Sequence, residues 1–332
     1  MEVVKCSLHA RIIMRMRSLY GKIIGPHAES FFTKESEKDK EKIMSIICDA
    51  IQSRKPLMIA RLGHTEMMVL ENLKYTFYKY RSNVKYIIWR GQPNFLNPIL
   101  IPMFNQLSGF FPSDDIEALR KFYDLMVKCM SKVDILGSWC YNEADFKKEL
   151  ASSVKVDREL MTPLLTENPW TRALKGKKVL VIHPFEETIR KQYARREKLF
   201  PQCPDILPEF ELHTIKAVQT LGCADENFND WFDALDYMKR QMDAVDYDVC
   251  LLGCGAYGFP LAAYAKDCGK QAIHLGGVLQ LLFGIKGKRW ETDEGYIKIH
   301  PYASTYYNEY WVRPDETEKP QKADGVEGGC YW

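Results

Sequence analysis

Arg61, His64 and Glu66 fall within six residues, directly after the apolar run Leu57-Met58-Ile59-Ala60. A guanidinium can clamp a phosphate through two parallel N–H donors. A carboxylate in this position suits a hard metal ion or general-base work, and an imidazole suits a transition metal. Gly63 lies between them. A second stretch, Gly253-Cys254-Gly255-Ala256-Tyr257-Gly258, follows the run Val249 to Leu252, and a glycine pair, Gly276-Gly277, follows the run Gln271 to Leu275. Backbone amides freed at such turns bind anions, so these glycines and Tyr257 join Arg61 and Gly63 as candidate nucleotide contacts. Lys286, Lys288 and Arg289, beside Gly284 and Gly287, form a basic loop suited to a diphosphate. His183 and His274 close two further apolar runs and are candidate bases or ligands, because imidazole titrates near neutrality.

Each candidate has a plainer alternative. Arg61 and Glu66 could form a structural ion pair. The glycines could serve close packing at a strand–helix turn. A histidine at a strand end is more often a structural residue than a ligand. The letters Gly253-x-Gly255-x-x-Gly258 match a dinucleotide fingerprint, which also needs an acidic residue about 20 positions on to hold the ribose. Here the next strand ends at His274 and offers no carboxylate. An oxidoreductase or methyltransferase using this turn is therefore the runner-up.

These residues need a scaffold that gathers strand ends. Apolar runs at 57–60, 133–137, 179–182, 210–218 and 249–252 alternate with helical patterns at 43–51, 114–130, 186–200 and 228–245. Strands without polar alternation point to an α/β fold, a Rossmann-like parallel sheet with helices on both faces. Lys85 to Trp89 reads as one more strand and Asn142 to Leu150 as a short helix. The pattern divides the chain into an N-terminal basic helix and linker (1–36), an α/β region (37–313, with an internal boundary near 163–178 if it forms two linked halves) and a C-terminal tail (314–332).

Composition narrows the function. A net charge of +2 on 332 residues gives no basic coat for nucleic acid. Ten cysteines without a C-x-x-C pair, several inside apolar runs, suit a reducing cytoplasmic setting. No stretch has the roughly 18 apolar residues of a membrane span. Residues 1–25 interleave Ile12, Ile13, Met16, Leu19 and Ile23 with Arg11, Arg15, Arg17 and Lys22, a basic amphipathic helix that could rest on an anionic membrane surface or pack on its own domain.

The segment Arg61-Leu62-Gly63-His64-Thr65-Glu66 resembles the Arg-x-Gly-Asp-x-Glu segment of bacterial GT-D-fold glycosyltransferases. Leu251 to Gly255 and His274 to Gly276 resemble that family's second strand–glycine–helix unit. The whole chain looks like GT-D-like proteins of bacterial surface-polysaccharide clusters. The resemblance implies a nucleotide diphosphate sugar as donor, a glycan or lipid-linked acceptor, and a divalent metal, Mn²⁺ or Mg²⁺, at Glu66 and position 64. His64 stands where the family has aspartate and suits Mg²⁺ poorly. Arg61 with the basic loop is then the alternative means of neutralising the diphosphate. A non-catalytic partner in polysaccharide assembly is a third reading.

Overall fold

In a computed structural model, which describes residues 7–24, 36–88, 91–221, 227–292, 302–319, 329 and 331, seven parallel strands form one sheet in the order β3-β2-β1-β7-β6-β4-β5. Cys6, Cys223 and Cys330, Trp89, and most of the segment after 319 lie outside the described residues. In chain order the main elements are α1 (Leu8–Ile24), α2 (Lys40–Gln52), β1 (Leu57–Ala60), α3 (His64–Leu73), α4 (Asn83–Ile87), α5 (Leu100–Ser108), α6 (Ile116–Met130), β2 (Ile135–Ser138) and β3 (Val154–Asp157). Then come β4 (Lys178–His183), α7 (Glu186–Tyr193), β5 (Glu211–Lys216), α8 (Trp231–Asp243), β6 (Val249–Leu252), α9 (Gly258–Asp267), β7 (Gln271–His274) and α10 (Leu279–Leu282).

The fully buried strands lie inside the sheet. β1, β2, β6 and β7 are buried at every position. Alternate residues point to opposite faces: Met58 and Ala60 join one core with Leu180, Ile182, Cys250 and Leu252, while Leu57 and Ile59 join the other with Val179, Val181, Val249 and Leu251. The edge strands β3 and β5 carry the exposed, polar positions. The expected parallel sheet with a core on each face is what the chain forms.

Local chemistry sets the helix starts. Asp39 caps α2 by accepting from the Lys42 amide at 2.9 Å, Asp115 caps α6 through the Glu117 amide at 2.9 Å, and Asp230 caps α8 through the Asp233 amide at 2.8 Å. On the α6 side, Phe104, Phe110, Phe122 and Trp231 form an interlocked aromatic core, and Trp231 stacks on Tyr257 with centroids 4.8 Å apart.

Three expectations change. Residues 85–87 are helical within α4, where Ser82 accepts from the Val84 amide at 3.3 Å, and Val84 is exposed while Tyr86 is buried. So short a run cannot show its period. The helix expected from Glu186 to Phe200 stops at Tyr193, and a 3-10 turn (Arg196–Lys198) drops Leu199 and Phe200 into the core beside Trp311. Asn142 to Leu150 contributes a 3-10 turn at Tyr141–Phe146. Residues 163–178 hold short 3-10 turns and connect β3 to β4 within the single sheet.

Candidate functional site

Beyond the carboxyl ends of the strands lies a cavity of about 230 Å³. Every strand contributes to its wall: Arg61 and Gly63 to Glu66 after β1, Trp139 after β2, Arg158 after β3, His183 to Phe185 at β4, Gln219 after β5, Gly253, Gly255 and Ala256 after β6, and His274, Gly277 and Gln280 at and after β7. A smaller recess of about 70 Å³ shares Arg61, Arg158, His274, Gly277, Arg289 and Tyr331 with it. Open parallel sheets bind ligands at this edge.

The chain leaves β1 at Arg61 and turns into α3 at Gly63, whose extended backbone (φ −75°, ψ 147°) makes it the N-cap. The Glu66 carboxylate folds back over the Gly63 Cα, in space that any side chain at 63 would occupy. An acidic group in this first turn complements the helix's positive end. Arg61 reaches across the sheet edge, and its guanidinium lies against Gly276, which has a left-handed backbone (φ 68°). Arg61 has no carboxylate partner among the described residues. The Arg61–Glu66 ion pair considered above does not form.

His64 faces Trp139, with ring centroids 5.9 Å apart, and partial burial lowers its pKa. Trp139 is held from several sides. Its Nε1 donates to the Leu62 carbonyl at 2.7 Å, and its backbone amide donates to Glu143 at 3.1 Å. The same carboxylate accepts from the Cys140 amide at 3.0 Å and from the Ser138 hydroxyl. The Arg158 guanidinium lies 3.8 Å from the Trp139 ring centroid and pairs with Glu159.

His183 and His274 are both buried, and burial pushes each imidazole down to about 3. His183 Nδ1 accepts from the Phe185 amide at 3.0 Å, so its proton sits on Nε2. Burial first, and then the nearby Arg61 charge, hold the His274 ring neutral, against a weaker opposing hydrogen-bond interaction with the Arg61 backbone. The glycine turn is explained by these rings. A Cβ at Gly253 would stand 2.5 Å from His183 Cδ2, and one at Gly258 would stand 2.5 Å from His274 Cδ2. Gly255, with φ 57°, is the member of the trio with open space where a side chain would be.

Gln280 is fully buried in the wall. Its Nε2 faces three carbonyls, that of Lys286 at 3.1 Å and those of Ile285 and Tyr331 slightly further, which leaves Oε1 without a partner. Arg289 donates to the Tyr331 hydroxyl at 3.1 Å and lies 4.8 Å from that ring's centroid. Among the described residues that line it, the cavity has three guanidinium groups, Arg61, Arg158 (paired with Glu159) and Arg289, and one carboxylate, Glu66. That balance attracts a polyanion.

Of the residues singled out in the sequence, Arg61, Gly63, His64, Glu66, His183, Gly253, Gly255, His274, Gly277 and Arg289 line the cavity together. Gly258 and Gly276 lie behind the wall, against His274 and Arg61. Tyr257 is in the core, its hydroxyl 2.9 Å from Thr220 Oγ1. Lys286 turns away to the Tyr307 ring at 5.1 Å, and Lys288 is exposed outside the lining. Arg158, Gln280 and Tyr331 were not anticipated. The alternation of Val154-Lys155-Val156-Asp157 was the available signal for an edge strand delivering Arg158.

The donor set of the described residues fits a divalent metal poorly. Among the described residues no three His, Cys, Asp or Glu side chains gather as a metal site, and Glu66 shares the cavity lining with three arginines.

A family model described as a GT-D fold-like domain matches residues 38–282. The chain belongs to this family. The match starts just before α2 and ends with α10, so the GT-D-like domain takes in all seven strands, Arg61 to Glu66, and both buried histidines. Arg289 and Tyr331 complete the cavity wall from beyond it. No curated protein and no solved structure matches the chain. Among the described residues no helix is long and apolar enough to cross a membrane.

Proposed function

We propose that this GT-D-like domain is a glycosyltransferase that takes a sugar from a nucleotide diphosphate sugar and passes it to an acceptor hydroxyl on a glycan or lipid-linked saccharide, in bacterial polysaccharide synthesis. One observation carries the reading: among the described residues, Arg61, Arg158 and Arg289 line one cavity together with a single carboxylate, Glu66. The acceptor oxygen forms a bond to the anomeric carbon and gives its proton to Glu66. The bond from that carbon to the diphosphate oxygen breaks, and its electron pair leaves with the nucleoside diphosphate. Charge builds on the leaving group, where fixed guanidinium donors act most strongly. Removing one such donor typically lowers the rate by roughly 10²–10³-fold. No step runs through a metal. His183 and His274, neutral at pH 7, add polar edges without competing for the anion.

Calorimetric titration with uridine, guanosine, adenosine and thymidine diphosphates, followed by product analysis with the corresponding nucleotide sugars, tests this. Arg61→Gln should weaken nucleotide binding at least tenfold. Glu66→Gln should keep binding and lose transfer. Absence of binding by every nucleoside diphosphate would overturn the reading.

A further inference from the structure

Helix α1 presents two unlike faces. One face docks on the domain: Ala10 is buried, the Arg17 guanidinium lies 4.2 Å from the Tyr86 ring centroid, and Arg17 Nη1 donates to the Tyr86 carbonyl at 3.2 Å. The other face points to solvent. Leu8, Ile12, Met16, Leu19 and Ile23 are between 47% and 79% exposed. At 3.6 residues per turn these five fall within an arc of about 80°. Arg11, Arg15 and Lys22, all exposed, form a row along one border of that arc. The helix contains no acidic residue, and the sequence has none from Val3 to Ala28.

A single exposed leucine means nothing, but an apolar stripe running the length of a 17-residue helix does. Its basic border indicates what covers it. A partner protein with an acidic rim would meet isolated charges, whereas a plane of anionic headgroups meets the whole row while acyl chains take the stripe. We infer that α1 is an interfacial anchor, lying parallel to an anionic membrane surface with Leu8, Ile12, Met16, Leu19 and Ile23 immersed and Arg11, Arg15 and Lys22 at the headgroups. The inference stands apart from the reaction at the strand ends and survives if that reaction is different.

Co-sedimentation of the full chain with vesicles tests it, comparing pure phosphatidylcholine with mixtures containing phosphatidylglycerol. Binding should require the anionic lipid and weaken at high salt. Arg11→Gln/Arg15→Gln/Lys22→Gln should weaken it on the order of a hundredfold, since each basic residue near such a surface contributes about a fivefold factor. Ile12→Gln/Leu19→Gln should weaken it at least tenfold while leaving the melting temperature unchanged. Equal binding to neutral vesicles, or none to anionic ones, overturns the inference. So does a clear fall in melting temperature for Ile12→Gln/Leu19→Gln, which would mean that the stripe packs on its own chain. A dimer in light scattering that this double variant dissociates would assign the stripe to a second copy instead.

Discussion

Acidification from pH 8 to pH 5 should destabilise this protein through His183 and His274. Both rings are buried, and each titrates at about 3 in the folded chain, against an ordinary value of 6.5. Folded values below the unfolded one mean that the unfolded state binds more protons between roughly pH 3 and pH 6.5. This contribution is therefore fully present above pH 6.5 and is lost as the pH falls through that window. At pH 5 each ring favours unfolding by roughly 2 kcal/mol, so the pair contributes roughly 4 kcal/mol out of a typical total of 5–15. The geometry supports the sign. Protonating His183 means placing a proton on Nδ1, where the Phe185 amide already donates, and protonating His274 means charging a ring beside Arg61. Urea denaturation followed by tryptophan fluorescence in half-unit pH steps measures it. His183→Gln and His274→Gln should each reduce the loss between pH 8 and pH 5 by roughly 2 kcal/mol, whatever their stability at pH 8. If the loss is the same in both variants as in the parent chain, the two histidines are not the source and the reasoning fails.

Nucleoside diphosphate binding should persist in excess chelator, within about threefold in calorimetry, because the arginines supply the positive charge; a loss of tenfold or more on chelation would show that a bound cation is needed. Gly276→Ala should reduce nucleotide binding at least tenfold and lower the melting temperature by only a few degrees, since its Cβ would displace the Arg61 guanidinium and its backbone is left-handed. In a third region Glu71, fully buried, pairs with Arg81 and accepts from Asn142. Arg81→Met should cost about 3–5 kcal/mol in chemical denaturation by stranding that carboxylate, and adding Glu71→Gln should restore part of the loss.

The sheet was legible because its central strands are buried on both faces and so read as unbroken apolar runs. The edge strand β3 was not read, since Val154-Lys155-Val156-Asp157 alternates over too few residues to stand out, and Arg158 at its end went with it. Arg61 and Glu66 were visible because they follow a strand directly. Tyr257 misleads for the opposite reason: a tyrosine in a glycine turn looks like a ligand contact until its stacking on Trp231 is seen. The basic loop reads as one unit, yet backbone hydrogen bonding of Lys286 with Val312 orients its members separately, and Arg289 alone of the three lines the cavity. Tyr331 reaches the site from the far end of the sequence, and nothing local foretells that.

The seam between β1 and β7 has a consequence for synthesis. Leu57 pairs with Gln271 and Ala60 with His274, partners separated by more than two hundred residues. Until the ribosome has released β7, β1 is an open apolar edge carrying unmet backbone donors and acceptors, and so is β6. Open edges of that kind invite pairing with other chains. A nascent or truncated chain ending before Gln271 should need chaperone protection or aggregate, and the Arg61 side of the cavity cannot meet its His274 side until β7 itself has been translated.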